Sequence, residues 1–136
     1  LFGKPGKNKK NLWNFFINSI IKSSYLNKTL NVKNKPNKKT FAMPINFFIQ
    51  FLEKEIDSSF FQYTKIINYN KHYEFRTDEL IFVIKKILKK KNIDLKITSQ
   101  INTSRTFILT NIMNDREYSI FNNEILGLIK FVKRSF

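Results

Sequence analysis

The apolar residues of this chain fall into short segments whose spacing changes from helical to strand-like, and this order most restricts its fold. Between residues 12 and 21 they lie on two adjacent i, i+4 columns, which predicts an amphipathic helix with Asn11 as its N-cap. Pro44 stands at a natural first helical position, and the apolar residues of 45–56 continue at helical spacing. The pattern therefore predicts two helices before residue 57.

Most of the other apolar segments favour strands. A short strand is predicted around Leu30 and Val32, and a return strand ends at Met43 after a Lys-rich loop. Alternating, aromatic or β-branched residues predict further strands at 60–69, 93–98, 107–109 and 124–132. Segment 77–91 fits a helix or a buried strand, and its periodicity alone does not decide between them.

This order of elements predicts an α+β fold of two small lobes. Residues 1–11 form a basic N-terminal arm. An N-terminal helix–strand–helix–strands lobe covers 12–91 and carries an inserted basic loop at 33–39. Residues 92–136 form a reduced, β-rich C-terminal lobe.

The charge of the chain selects a class of partner. The net charge is +15 and the isoelectric point is near 10.1, which favours a polyanion: nucleic acid first, an anionic membrane surface second. Residues 1–40 contain ten Lys and no Asp or Glu. Contact with the polyanion is therefore expected to begin at the N-terminal end.

Enzyme chemistry has few candidate residues in this sequence. The chain has no Cys and His72 is its only histidine, which excludes thiolate metal sites and His-based metal clusters. The acidic pairs at 78–79 and 115–117 lie among Lys or Arg and are expected to form surface salt bridges. Three glycines cannot supply a glycine-rich phosphate loop, and no apolar run reaches the roughly 18 residues of a membrane span. We therefore expect no enzymatic activity, no cofactor, no metal and no membrane insertion.

One segment, "AMPINFFIQFLEKEIDSSFF" at 42–61, resembles the ribosomal small-subunit protein number eight family, in its bacterial and organellar branch. In that family Met-Pro opens a helix that runs toward a Gly-Phe turn. Met43 and Pro44 match the opening, and Phe61 matches the aromatic residue of the turn, where Phe60 replaces the glycine. The preceding segment "LWNFFINSIIKS" corresponds to the family's first helix.

A second segment, "LTNIMNDREYSIFNNEILGLIKF" at 109–131, is similar to the family's C-terminal rRNA-contact loop and final strand. Thr110 matches the centre of a Ser-Thr-Ser loop, and Ile112 and Met113 match an apolar pair. Glu124 matches the glutamate before the last strand, although the two glycines ahead of it are asparagines here. The loop is also shorter than in the family.

Two alignments with the family stay open for residues 77–91. If this segment is a strand, only "SQINTSR" remains for the helix of the C-terminal lobe, which is then truncated or lost. If the segment is that helix, a long insertion separates it from Ile112. We favour the first alignment.

The resemblance implies a structural constituent of the small ribosomal subunit that binds the central domain of small-subunit rRNA and supports its assembly. Its other partners would be neighbouring ribosomal proteins, and no homo-oligomer is expected. The abundance of Lys, Asn, Ile and Phe is typical of an AT-rich genome, which favours a mitochondrial ribosome over another organellar or a cytoplasmic one. The alternatives are a non-ribosomal basic nucleic-acid-binding protein and a peripheral membrane protein that uses helix 12–22.

The expected RNA-contacting residues form three groups. The loop implied by the resemblance, with the arginines near it, contributes Thr110, Asn111, Asn114, Arg105 and Arg116. Met113 is expected to point inward beneath this loop, and Glu124 to accept hydrogen bonds from it. The lysine run after the 77–88 apolar segment contributes Lys89, Lys90 and Lys91. The N-terminal arm and the basic loop contribute Lys4, Lys7, Lys9, Lys10, Lys35, Lys38 and Lys39.

Overall fold

The computed structural model describes residues 16–33, 35–58, 73–98 and 106–135. Several predictions from the sequence lie outside these residues: the N-cap at Asn11, the strand at 60–69, and the RNA contacts of Lys4, Lys7, Lys9, Lys10 and Arg105.

The described residues form an α+β fold, as the sequence predicts. The helices are α1 (Phe16–Tyr25), α2 (Ile45–Ser58), α3 (Thr77–Lys89) and α4 (Asp115–Ser135). The strands are β1 (Leu30–Asn31), β2 (Lys39–Ala42), β3 (Tyr73–Arg76) and β4 (Ile97–Thr98). A single 3₁₀ turn, Leu109–Asn111, precedes α4.

The strands pair in two small sheets. β1 runs parallel to β4, with Leu30 opposite Ile97, while β2 runs antiparallel to β3, with Lys39 opposite Arg76. The strands on either side of the basic loop therefore belong to different sheets. Each pairing joins residues more than thirty positions apart, so neither could be read from local sequence.

Segment 77–91 is helical, and the local sequence explains why. Glu79 Oε2 accepts a hydrogen bond from the Arg76 backbone N–H at 2.8 Å, which satisfies one of the donors at the start of the helix. Asp78 and Glu79 occupy the first turn, and Lys86 and Lys89 the last, so both ends complement the helix dipole. The ambiguous periodicity arises because α3 is buried on several sides: its buried residues are Thr77, Asp78, Leu80, Ile81, Val83, Ile84, Ile87 and Leu88.

The predicted strands at 107–109 and 124–132 are wrong. Residues 107 and 108 have no regular structure, Leu109 begins the 3₁₀ turn, and 124–132 lie inside the 21-residue helix α4. The buried residues of α4 recur three or four positions apart and therefore share one face: Phe121, Ile125, Leu128, Ile129 and Val132. The described C-terminal part is thus dominated by a helix rather than by the β-structure predicted for it.

One hydrophobic core joins the described parts of the two predicted lobes. α4 packs against α1 and α3, and the buried side chains of all three helices form one cluster. Phe121 of α4 also meets Phe75 and Tyr73 of β3, with ring centroids 5.6 and 6.1 Å apart respectively. Aromatic rings at these separations and tilts add to the stabilisation from buried area.

Helix α2 lies at the edge of this core. Its apolar residues Ile49, Leu52 and Ile56 recur at helical spacing, as predicted, yet they are 44%, 38% and 55% exposed. The Asn46 side chain connects α2 to α4, because its Nδ2 donates a hydrogen bond to Glu124 Oε1 at 2.8 Å. Helical spacing of apolar residues therefore predicted the helix but not the depth of its burial.

A pair of isoleucine substitutions tests this assignment of the core. Replacing Ile84, which is 0% exposed in α3, by Ala should lower the free energy of unfolding by about 2–5 kcal/mol, because it leaves a cavity. Ile56→Ala removes the same atoms from an exposed position and should change that free energy by less than about 0.5 kcal/mol. Urea denaturation followed by circular dichroism measures both values. Equal losses would contradict the placement of α3 at the centre.

Candidate nucleic-acid interface

The lysine run at 89–91 lies in the turn that ends α3. Asn92 has a positive φ of 54°, and its N–H donates to the Lys89 carbonyl at 3.1 Å, while the Ile93 N–H donates to the Leu88 carbonyl at 3.1 Å. This is a Schellman motif, in which a left-handed residue closes the helix, and asparagine tolerates that conformation better than most residues. The motif holds the backbone of the three exposed lysines in a fixed turn.

Lys90 contacts the beginning of α4. Its Nζ lies 5.4 Å from the centroid of the Tyr118 ring, within the range of a cation–π interaction. The Tyr118 N–H in turn donates to the carbonyl of Asn114 at 2.9 Å. The structure therefore brings the lysine run next to the segment that follows the predicted loop, which was the arrangement expected of a shared surface.

The 3₁₀ turn presents two polar side chains and buries the apolar residues beside them. Thr110 and Asn111 are exposed, whereas Met113 is only 4% exposed. Ile112 is half-buried and packs against the core. The Met113 N–H donates to the Leu109 carbonyl at 3.0 Å, which closes the turn. The turn is thus anchored from below by its apolar residues, with its hydroxyl and amide groups available to a partner.

Asn114 has a structural role that the sequence prediction did not assign to it. Its Oδ1 accepts a hydrogen bond from the Glu117 N–H, and Glu117 Oε2 accepts one from the Asn114 N–H, both at 2.9 Å. This reciprocal pair is a capping box at the start of α4. The sequence signal was present, since an Asn followed three positions later by a Glu is typical of a helix N-terminus.

Glu124 also differs from its predicted role. It was expected on a strand, where it would accept hydrogen bonds from the loop, but it lies in α4 and accepts one from Asn46 of α2. The physical reason is the helical course of 115–135, which places Glu124 more than two turns beyond the loop. Its contact connects two helices.

Arg116 is exposed in the first turn of α4, close in sequence to Asn114. The acids Asp115 and Glu117 flank it in the same turn, where negative charge is favourable beside the positive end of the helix dipole. The first turn therefore carries little net positive charge. Most of the positive charge on this side of the molecule comes from the end of α3.

The described part of the basic loop packs on the opposite end of α3. The Lys38 carbonyl accepts hydrogen bonds from the Thr77 N–H at 3.0 Å and from Thr77 Oγ1 at 3.1 Å, and the Pro36 carbonyl accepts one from the Asp78 N–H at 3.1 Å. Lys35 and Lys38 are exposed. Because α3 has 13 residues and is about 20 Å long, this loop and Lys89–Lys91 do not form one cluster.

Lys39 already has an acidic neighbour. Its Nζ lies 2.6 Å from Glu74 Oε1 on the paired strand β3, and this hydrogen bond raises the pKa of Lys39. Both side chains are exposed, so the pair contributes little to stability. A phosphate would have to compete with Glu74 for Lys39.

A buried ion pair sits where β3 becomes α3, away from the lysine run. Arg76 Nε and Nη2 donate to the two carboxylate oxygens of Asp78 at 3.1 and 2.6 Å, and the Asp78 side chain is 4% exposed. The hydrogen bond to Asp78 raises the pKa of Arg76. The Arg76 guanidinium also lies 5.9 Å from the Phe107 ring centroid. Asp78 thus helps to hold the fold together here, whereas the sequence had suggested a surface salt bridge.

Within the described ranges, no group of three or more His, Asp or Glu side chains is placed to hold a metal ion. The helices of those ranges include none that is long and apolar enough to cross a membrane. Comparison with known proteins found no matching family model, no matching curated protein and no matching solved structure. The family resemblance therefore depends on the sequence motifs alone.

Two asparagine substitutions separate the structural residue from the candidate contact residue. Asn114→Ala should lower the free energy of unfolding by about 0.5–2 kcal/mol, because it removes a helix cap. Asn111→Ala should leave that free energy within about 0.5 kcal/mol, because Asn111 is exposed in the turn. Thermal denaturation compares the two variants. A larger loss for Asn111 would show that the turn, rather than the cap, determines how α4 begins.

Proposed function

We propose that this protein is a non-catalytic RNA-binding constituent of the small ribosomal subunit, in a mitochondrial ribosome, and that it contacts the central domain of the small-subunit rRNA. The observation that carries the RNA-binding part is the contact between Lys90 and Tyr118. It places three exposed lysines beside the polar turn formed by Leu109–Asn111. Positive charge next to hydroxyl and amide groups suits a folded RNA.

Each part of this surface suits a different feature of RNA. Lysine ammonium groups neutralise phosphates and release bound counterions, which supplies most of the affinity. The exposed Thr110 and Asn111 side chains can exchange hydrogen bonds with 2′-hydroxyls and base edges, which are accessible in the wide minor groove of RNA or in unpaired loops. Phosphate contacts set the position of the protein, and the turn supplies its selectivity.

The ribosomal part of the proposal is supported by the sequence resemblance at 42–61 and 109–131. The Met43-Pro44 opening does precede a helix, α2, as it does in the family. The segment after Glu124 departs from the family pattern because it is helical, so the support from that segment is limited to the loop itself. The alternative, a non-ribosomal basic nucleic-acid-binding protein, would use the same surface with no fixed RNA partner.

Crosslinking of the chain to total cellular RNA distinguishes these two functions. A ribosomal constituent should give one dominant peak in the central domain of small-subunit rRNA, and it should sediment with small subunits in high salt. A general nucleic-acid binder should give crosslinks spread over many RNAs and should leave the particles as salt increases. The spread pattern would contradict the ribosomal proposal while keeping the RNA-binding one.

The contribution of the lysine run can be measured from the salt dependence of binding. Replacing Lys89, Lys90 and Lys91 together by Ala should reduce the log-affinity against log-salt slope by about 2–3, at about 0.9 per lost phosphate contact on a duplex. Lys54→Ala is the control, because Lys54 is equally exposed but lies on α2 among acids. Filter binding of an rRNA fragment over a salt series gives each slope. An unchanged slope for the triple variant would mean that these lysines remain in solvent.

A further inference from the structure

The last turns of α4 carry a second group of cations that the functional surface described above does not include. Lys130, Lys133 and Arg134 are all exposed. Because they are spaced by three and four positions, they lie on one side of the helix. The buried face of the same turns is formed by Leu128, Ile129 and Val132.

No acid interrupts this group. Residues 125–135 contain no Asp or Glu, and α1, which packs against α4, contains none either. Among the described residues, none of the three cations forms an ion pair. The end of the molecule formed by α1 and the last turns of α4 is therefore positive.

The helix dipole explains only part of this arrangement. Lys133 and Arg134 lie in the last turn, where a cation gains about 0.3–1 kcal/mol from the negative end of the dipole. Lys130 lies outside that turn, where this effect has largely faded. Three exposed cations on one side of a helix exceed what stabilisation of its C-terminus requires.

The second group is far from the first. Tyr118, which Lys90 contacts, and Lys133 are fifteen positions apart on one continuous helix, which corresponds to about 22 Å. This separation is fixed because α4 packs along its length against α1 and α3. The two groups therefore act as separate points of contact.

Helix α2 disfavours one RNA strand that runs straight from one group to the other on its side of α4. α2 contains Glu53, Glu55 and Asp57 against a single Lys54, and it is joined to α4 through Glu124, which lies between the two groups. The negative charge of α2 would repel a phosphate chain that followed this side.

We propose that Lys130, Lys133 and Arg134 form a second phosphate-binding site, and that the protein holds two RNA segments about 22 Å apart at the two ends of α4. This inference rests on the proposed function, since it takes RNA as the partner. It adds a role to the molecule, which would then fix the spacing of two RNA segments in addition to binding one.

Native mass spectrometry with short RNA duplexes of two different lengths tests the second site. At low salt, one chain of the unmodified protein should carry two duplexes. The triple variant K130A/K133A/R134A and the triple variant K89A/K90A/K91A should each carry only one. K54A should behave as the unmodified protein does. Because the second group is exposed, circular dichroism should show that its variant keeps the unmodified melting temperature within a few degrees.

The possible outcomes separate the two proposals. If the unmodified protein binds one duplex and K130A/K133A/R134A leaves the salt slope unchanged, the second site is wrong and the proposed function stands. If K130A/K133A/R134A still carries two duplexes, the second contact lies elsewhere and the assignment to these residues is wrong. If the unmodified protein binds no RNA, both proposals fail. The lysine–arginine variant K130R/K133R keeps the charge and should carry two duplexes.

Discussion

The burial of α3 on several sides is the constraint on which the rest of the described structure depends. Its six buried apolar side chains lie in the core shared with α1, α4 and β3, and each fully buried aliphatic side chain contributes about 1.5–3 kcal/mol. With most of the helix surface occupied, the lysines are confined to positions 85, 86 and the turn that follows. The packing of the core and the location of the basic surface are therefore two results of one helix.

The sequence predicted the elements that are amphipathic and missed those whose burial is different. α1, α2 and β2 were found because their apolar spacing or turn residues follow simple rules. Segment 77–91 stayed ambiguous because a helix buried on several sides loses its polar face. Segment 124–132 was assigned to a strand because its Ile, Leu and Phe residues resemble a buried strand, whereas the capping box at Asn114 identified a helix start.

The candidate site was predicted as a set of residue types, and the structure changes which of them are available. Lys89–Lys91 and Thr110 have the exposure that the sequence led us to expect, and Lys90 approaches the loop through Tyr118. Polar residues with partners inside the protein could not be recognised from sequence, because their partners lie far along the chain or in an unforeseen helix. Glu124 bonds Asn46, 78 positions away, and Lys39 pairs with Glu74.

The packing of α1 against α4 also determines when the protein can fold during its synthesis. Ile17, Ile20 and Ile21 of α1 are buried in a core that includes Val132 of α4, so their partners are made more than a hundred residues later. At about 5–20 residues per second, the nascent α1 would wait several seconds with its apolar face uncovered. Chaperones that bind apolar segments on the translating ribosome would have that interval in which to act, and this core closes only after α4 has left the exit tunnel.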